Sequence, residues 1–412
     1  GLWRVKVRAP VFVIGHARSG TTLAHRLLSG DERFSTFRYW ELMLPSLTEK
    51  KLVHLVAWID RTLLGRRIEK RLDAWEQRKF GPTQHIHKMG LNIPEEDDLI
   101  LQHSCASGFW MTQLPYMGEM DFFHVDQRLP RSRQRMMRFY RECVRRQLYL
   151  NGSHHIHLSK NPTWCGRVQT LIEVFPDARF VVLYRNPYET IPSLLKLLHV
   201  GWKRRGTLEE SHIRESTRVM AELSYEHYLL PLQVLARNPQ VRHADVDYRE
   251  LTTRPRATIA QVYAALDMEM TPQMDAFLAA EESRARKHET EHRYSLAEFG
   301  LEQQEIRRRL ANHTRLQQDW HRVLHELHEF AREKLLVGRL VLPAQKRRRL
   351  GKLLAALLDG AAHDFIRLGR VGLDHFHRLE VRVGQCLRGL GIGLEPGGRT
   401  AHGVHHHGVV ER

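Results

Sequence analysis

A chain of 412 residues with 42% hydrophobic content is long enough for one large α/β domain plus an extension, and that composition excludes disorder throughout. The formal net charge of +17 suits a polyanionic partner, whether a nucleotide, an acidic acceptor, a membrane surface or a nucleic acid, without choosing among them. The sequence contains neither a zinc finger nor an aromatic RNA-reading strand, so no nucleic-acid partner is expected.

Residues 11–14 form an apolar run that predicts a strand, followed by Gly15-His16-Ala17-Arg18-Ser19-Gly20 and an apolar-periodic helix from Thr21. In the usual phosphate loop, G-x-x-x-x-G-K-[ST], backbone N–H groups wrap phosphate oxygens, the lysine reaches the outer phosphates and the hydroxyl serves Mg²⁺. Here Gly15 and Gly20 keep the spacing, Thr21 stands in the lysine's place, and Arg18 supplies the positive charge from inside the loop. Ser19, Gly20, Thr21 and Thr22 offer small side chains, hydroxyls and free amides at a helix N-terminus, which favours a bound anion.

Residues 52–64, flanked by Lys50, Lys51, Arg66 and Arg67, are too short and too interrupted to span a bilayer. They suit an ordinary core helix or an amphipathic lid that touches lipid or shields a greasy acceptor. His85 and His87 alternate onto one face of an extended segment and lack the further ligands a metal needs. Glu95, Glu96 and Asp97 after Pro94 suit a helix start, where acids meet the positive end of the dipole.

Further strand-like runs at 155–158, 180–184 and 241–246 alternate with helical patterns at 131–150, 167–175, 217–236 and 256–266. Strands separated by helices imply right-handed crossovers, hence a P-loop-type three-layer α/β/α fold with a central, mostly parallel sheet and ligands at the carboxyl ends of its strands. The run at 180–184 ends in Arg185, where an NTPase would place a Mg²⁺-serving acid, and Ser193 follows two helical turns later, so the pair can converge on one phosphate. Cys105, Cys143, Cys165 and Cys386 share no metal-like spacing and are expected in the core of a cytoplasmic protein, with membrane association left open. Beyond about residue 341 the chain turns basic, Gly-rich and His-rich, which divides it into a catalytic domain, 1–340, and an extension, 341–412, partly helical and then disordered.

The segments RSGTTL (Arg18 to Leu23), LSKNP (Leu158 to Pro162) and RNPYETIPS (Arg185 to Ser193), with FPDARFV before the last, resemble the PAPS-dependent sulfotransferases, in particular their bacterial carbohydrate/lipid-type branch. The resemblance runs from residue 10 to about residue 310. It implies 3′-phosphoadenosine 5′-phosphosulfate (PAPS) as co-substrate, no metal, and in-line transfer of a sulfuryl group to a hydroxyl of a small molecule, lipid or carbohydrate. By position, Arg18, Thr21 and Thr22 meet the 5′-phosphosulfate, with Ser19, Gly20 and Leu23 completing that loop. Arg185 and Ser193 meet the 3′-phosphate, Tyr248 lies near the adenine, and Lys160 is the catalytic cation.

Cytosolic members of the superfamily carry a base, His, two residues after that lysine, but Pro162 stands there in this chain. Glu41 in FRYWELMLPS is therefore the expected base, beside Arg18 and buried against Trp40 and Leu42, with His85 or His87 the second choice. Lys287 and Arg293 match the family's late segment too loosely to join the site. The alternatives are a kinase-like P-loop phosphotransferase, a nucleotide-binding module without catalysis, and a protein that binds anionic surfaces through its basic tail.

Overall fold

The computed structural model describes residues 1–81, 90–204, 209–285 and 296–310. Strands β1 (Val11–Gly15), β2 (Phe34–Ser35), β3 (Ile156–Lys160), β4 (Arg179–Tyr184) and β5 (His243–Asp247) form one sheet in the order β2-β3-β1-β4-β5. Every pairing in it is parallel. All of β1 is buried, as a central strand covered on both faces must be.

Alternation along the strands splits the apolar side chains between two cores. Phe12, Ile14, Phe180 and Val182 enter one, whereas Val11, Val13, Val181 and Leu183 enter the other. The helices are α1 (Thr21–Leu28), α2 (Tyr39–Met43), α3 (Leu47–Thr62), α4 (Arg67–Phe80), α5 (Trp110–Gln113) and α6 (Pro130–Asn151), then α7 (Val168–Val174), α8 (Pro187–Lys203), α9 (Glu210–Arg237), α10 (Tyr248–Thr253), α11 (Pro255–Ala265) and α12 (Pro272–Ala285). Tyr140 of α6, Leu171 of α7, Leu195 of α8 and Leu235 of α9 cover the first face. Leu27 of α1, Ile259 of α11 and Leu278 of α12 cover the second, which completes the expected three layers. Phe12 anchors the first core, its ring centroid 5.5 Å from those of Trp164 and Phe175 and 5.6 Å from that of Phe180. Burying one such side chain stabilises the fold by roughly 1.5–3 kcal/mol.

The expected strands and helices reappear with shifted ends, and one strand was not foreseen. With only two residues, β2 carries no periodicity of its own and exists through pairing, Phe34 with Ile156 and Ser35 with His157. Residues 52–64 do not make a core helix. They belong to α3, which forms a helical hairpin with α4, closed where the Asp60 carboxylate accepts the N–H groups of Ile68 and Glu69 at 2.9 Å each. What α3 buries fully is Lys50 and Asp60, and Leu52, Val53, Leu55, Val56 and Trp58 are left outside.

Cys143 and Cys165 are buried as expected, but Cys105 is exposed: it is the left-handed C-cap of a 3-10 helix (Asp97–Ser104), at the outer point of a turn that leads back to buried Ala106. Among the described residues no helix is long and apolar enough to cross a membrane. Cys386, the boundary at 340 and the extension lie outside the described residues.

Candidate active site

The glycine-bounded loop at the carboxyl end of β1 depends on backbone conformations that side chains resist. Gly20 has φ 95°, and a Cβ there would fall 2.5 Å from Cδ2 of Tyr248. Gly15 has φ 139°, and a Cβ would fall 2.5 Å from the carbonyl oxygen of Leu183. Arg18 itself is held at φ 72°. The first helical bond of α1 runs from the Ala24 N–H to the Gly20 carbonyl at 3.0 Å, which leaves the N–H groups of Thr21, Thr22 and Leu23 without helical acceptors. Ser19 Oγ is buried in the loop without a hydrogen-bond partner among the described residues. The Leu23 side chain packs on the second core, so its N–H is what it can offer a ligand.

One end of the loop meets Lys160, the last residue of β3 and almost fully buried. Its Nζ lies 3.4 Å from Thr22 Oγ1 and 3.0 Å from Glu96 Oε1, and the Glu96 side chain keeps 25% of its surface exposed. Nearby His25 is pushed down to about 3 by burial and then by the Lys160 charge, so its imidazole is neutral.

The two acids after Glu96 fix its position. Asp97 accepts the Ser159 hydroxyl at 2.8 Å and lies 3.0 Å from His157 Nε2, with Tyr140 and Asn161 as further donors. Burial works against that carboxylate, yet His157, Tyr140 and Ser159 hold it below the usual range. Asp98 accepts from Ser107 Oγ at 2.7 Å and from Trp164 Nε1 at 3.0 Å, and it pairs with Arg167 at 3.1 Å. The Asp98 N–H donates to Asn161 Oδ1 at 2.9 Å, which ties this segment to the residue following Lys160.

The other end of the loop meets Arg185, directly after β4. Its Nη1 donates to the Arg18 carbonyl at 3.3 Å, and its Cζ lies 4.2 Å from the centroid of the Tyr248 ring that covers Gly20. Arg18 Nε donates to Ser193 Oγ at 3.2 Å. Glu189 takes the remaining fork of Arg185, its Oε2 3.0 Å from Nε and 2.8 Å from Nη2. The Tyr228 hydroxyl donates to the Arg185 carbonyl at 2.9 Å and steadies the turn. A cavity of ≈ 230 Å³ opens here, lined by Arg185, Asn186, Glu189, Asp247, Tyr248 and Arg249.

The fold therefore gathers Arg18, Gly20, Arg185, Ser193 and Tyr248 at one end and Thr22 with Lys160 at the other. It gives Glu41 different neighbours. Its Oε2 accepts the Arg38 N–H at 3.0 Å in the capping box of α2, and its Oε1 lies 3.7 Å from Lys50 Nζ and 3.4 Å from Asn151 Nδ2. This carboxylate, 1% exposed, closes a helix, and the carboxylate beside Lys160 is Glu96. His85, His87, Lys287 and Arg293 lie outside the described residues. Glu189 was not singled out in the sequence, and Glu96 was read there only as part of a helix start, which it is, as the N-cap of the 3-10 helix Asp97–Ser104. A trace of more than that was there: Glu95-Glu96-Asp97-Asp98 is more acid than a helix start needs, in a strongly basic chain.

Residues 10–273 match the model of the sulfotransferase family. Among curated proteins, the omega-hydroxy-beta-dihydromenaquinone-9 sulfotransferases Stf3 of Mycobacterium bovis and Mycobacterium tuberculosis are each 27% identical over 194 residues, 46% of this chain and 45% of theirs. The chain thus matches a little under half the length of these relatives. Among solved structures, sulfotransferase STF9 from Mycobacterium avium is 21% identical with a TM-score of 0.58, over 76% of this chain and 77% of that one. Sulfotransferase STF1 from Mycobacterium tuberculosis is 20% identical with a TM-score of 0.55, over 76% and 78%. At those identities the likeness is one of fold.

Proposed function

Because this chain belongs to the sulfotransferase family, we propose that it transfers a sulfuryl group from PAPS to an acceptor hydroxyl, in line and without a metal. The observation that carries this reading is the pair of cationic ends on one loop, Lys160 at Thr22 and the Arg18–Ser193–Arg185 set at Gly20. The residues fit the donor: a buried, unpartnered hydroxyl at Ser19, free N–H groups at the start of α1, and a cavity against Tyr248. When bound, PAPS supplies the activated sulfuryl group.

In this reading Arg18, Thr21, Thr22 and the loop amides hold the 5′-phosphosulfate. Arg185 and Ser193 hold the 3′-phosphate, for which Glu189 must release the guanidinium, and Tyr248 offers its ring near the adenine. Lys160 stabilises the charge that grows on the departing oxygen. Glu96, anchored through Asp97 and Asp98 and partly open to solvent, takes the acceptor proton in place of Glu41. The metal-free assignment rests on Arg185 standing where an NTPase would hold Mg²⁺ through an acid.

The acceptor is a hydroxyl of a small molecule or lipid, in line with the hydroxylated menaquinone named for the Stf3 relatives. Calorimetry with 3′-phosphoadenosine 5′-phosphate tests the donor site, with tight binding expected in EDTA. Magnesium-dependent binding of ATP in its place would favour the phosphotransferase. Labelled PAPS incubated with the protein and a cell extract identifies the acceptor by the compound that gains label.

A further inference from the structure

The α3–α4 hairpin carries apolar side chains on its outside. Leu52, Leu55 and the half-buried Ile59 recur at helical spacing along α3, with Leu63 directly after it, and Leu52 and Leu63 are 59% and 74% exposed. Ile68, Leu72 and Trp75 repeat the pattern on α4, each more than a third exposed, and Trp58 is 59% exposed. A face this extensive on a water-soluble surface marks an interaction site.

We propose that this hairpin docks on an anionic phospholipid bilayer. The charge pattern selects that occupant. Residues 47–80 hold nine Lys and Arg against five Asp and Glu, and with Lys50 and Asp60 both buried the hairpin still presents eight cations against four acids. At the tip, Leu63 and Leu64 are followed at once by Gly65, Arg66 and Arg67, so apolar groups that can enter the acyl boundary sit beside cations that meet lipid phosphates. Trp58 and Trp75 bring the amphipathic rings favoured at the headgroup level. A second copy would set this cationic surface against itself across a two-fold axis.

The hairpin leads directly to the reaction site. Glu76 of α4 accepts the Leu91 N–H at 3.2 Å, and Leu91 precedes Glu96 by five residues, a span of at most about 18 Å. Phe80 at the end of α4 meets Tyr39 edge to face at 6.0 Å, beside the segment that carries Pro94. If the reaction proposed above holds, a bilayer docked here presents hydroxyl-bearing lipids to Lys160 and Glu96.

The test uses the full chain, without donor or acceptor, so it stands apart from any failure of catalysis. Sedimentation with vesicles containing phosphatidylglycerol should carry the protein down, and vesicles of phosphatidylcholine alone should carry far less. Joint Leu63→Glu and Leu64→Glu substitution, at exposed positions that leave the melting temperature unchanged, should weaken binding by about tenfold or more at constant salt. Brominated lipids should quench tryptophan fluorescence, and Trp58→Phe should reduce that quenching. Absence of vesicle binding overturns the proposal. So does binding that the double substitution leaves intact, which assigns it to the basic extension, or a dimer that the same substitution dissolves while vesicles are ignored.

Discussion

Lys160 Nζ lies 3.0 Å from Glu96 Oε1, a pair drawn from positions 64 residues apart and placed beside Thr22 at the start of α1. A cation and a carboxylate held against the same anion loop can divide the work of a transfer, one facing the leaving oxygen and the other the attacking hydroxyl.

Glu96→Gln should lower kcat by about 10²- to 10⁴-fold while leaving the affinity for 3′-phosphoadenosine 5′-phosphate near that of the wild type. Glu41→Gln should do the reverse. Lys50 would then face a neutral amide in a buried site, at a cost of roughly 3 kcal/mol in stability, with kcat per folded molecule preserved. Steady-state kinetics beside thermal melts separate the two. A kcat that collapses in the Glu41 variant and survives in the Glu96 variant would return the base to Glu41.

Arg185→Ala should weaken binding of the same nucleotide by about 1.5–3 kcal/mol, roughly 10- to 150-fold, since it removes charge-assisted bonds to phosphate. Glu189→Gln should tighten it a few fold. The Arg185–Glu189 pair is partly exposed, so displacing it costs only about 0–1 kcal/mol, and the substitution removes that cost. Titration calorimetry in low salt reads both. A looser Glu189 variant would mean the carboxylate helps to hold the arginine in its binding pose.

Gly20→Ala should weaken nucleotide binding by about 5- to 150-fold. The alanine would have to keep φ 95° and push its Cβ into the Tyr248 ring, strain on the order of 1–3 kcal/mol at the point where the loop must close on an anion. Pairing it with Tyr248→Ala relieves the clash but not the dihedral strain, so melting temperature should recover in part and affinity should not. Binding in the double variant as tight as in Tyr248→Ala alone would show that the ring contact alone demands glycine.

His124 gives the fold a dependence on alkaline pH. Its Nδ1 lies 2.9 Å from Asp121 and its Nε2 2.7 Å from Glu226. Burial opposes the imidazolium, but the two carboxylates outweigh it and raise the group to about 9. With the folded value above the unfolded one near 6.5, the stabilisation is complete below about 6.5 and lost as pH rises through 9. Denaturation midpoints should therefore fall over that window, and His124→Gln should flatten the slope. An unchanged slope would place the titrating group elsewhere.

The parts of the site that could be read from residues alone are those whose chemistry is local. The loop from Gly15 to Gly20 announces itself through glycine spacing and the apolar run before it, and Arg185 through its place after a second such run. For Glu41, distance along the chain from Arg18 carries no information about the capping box and the buried Lys50 that it meets in the fold. For residues 52–64 the sequence left a core helix and an amphipathic lid both open, because hydrophobic periodicity reports amphipathicity but not which side finds a partner.

Apolar runs and glycine positions dictate strands, crossovers and the backbone cradle, because steric and solvation preferences act over a few neighbouring residues. Which charges meet in that cradle was settled by strand order. With β3 and β4 on either side of β1, Lys160 and Arg185 arrive at opposite ends of one loop, and the buried Asp97–Asp98 network turns Glu96 toward Lys160. Electrostatic pairing falls off over a few ångströms of space and is indifferent to separation along the chain, so it follows from the fold.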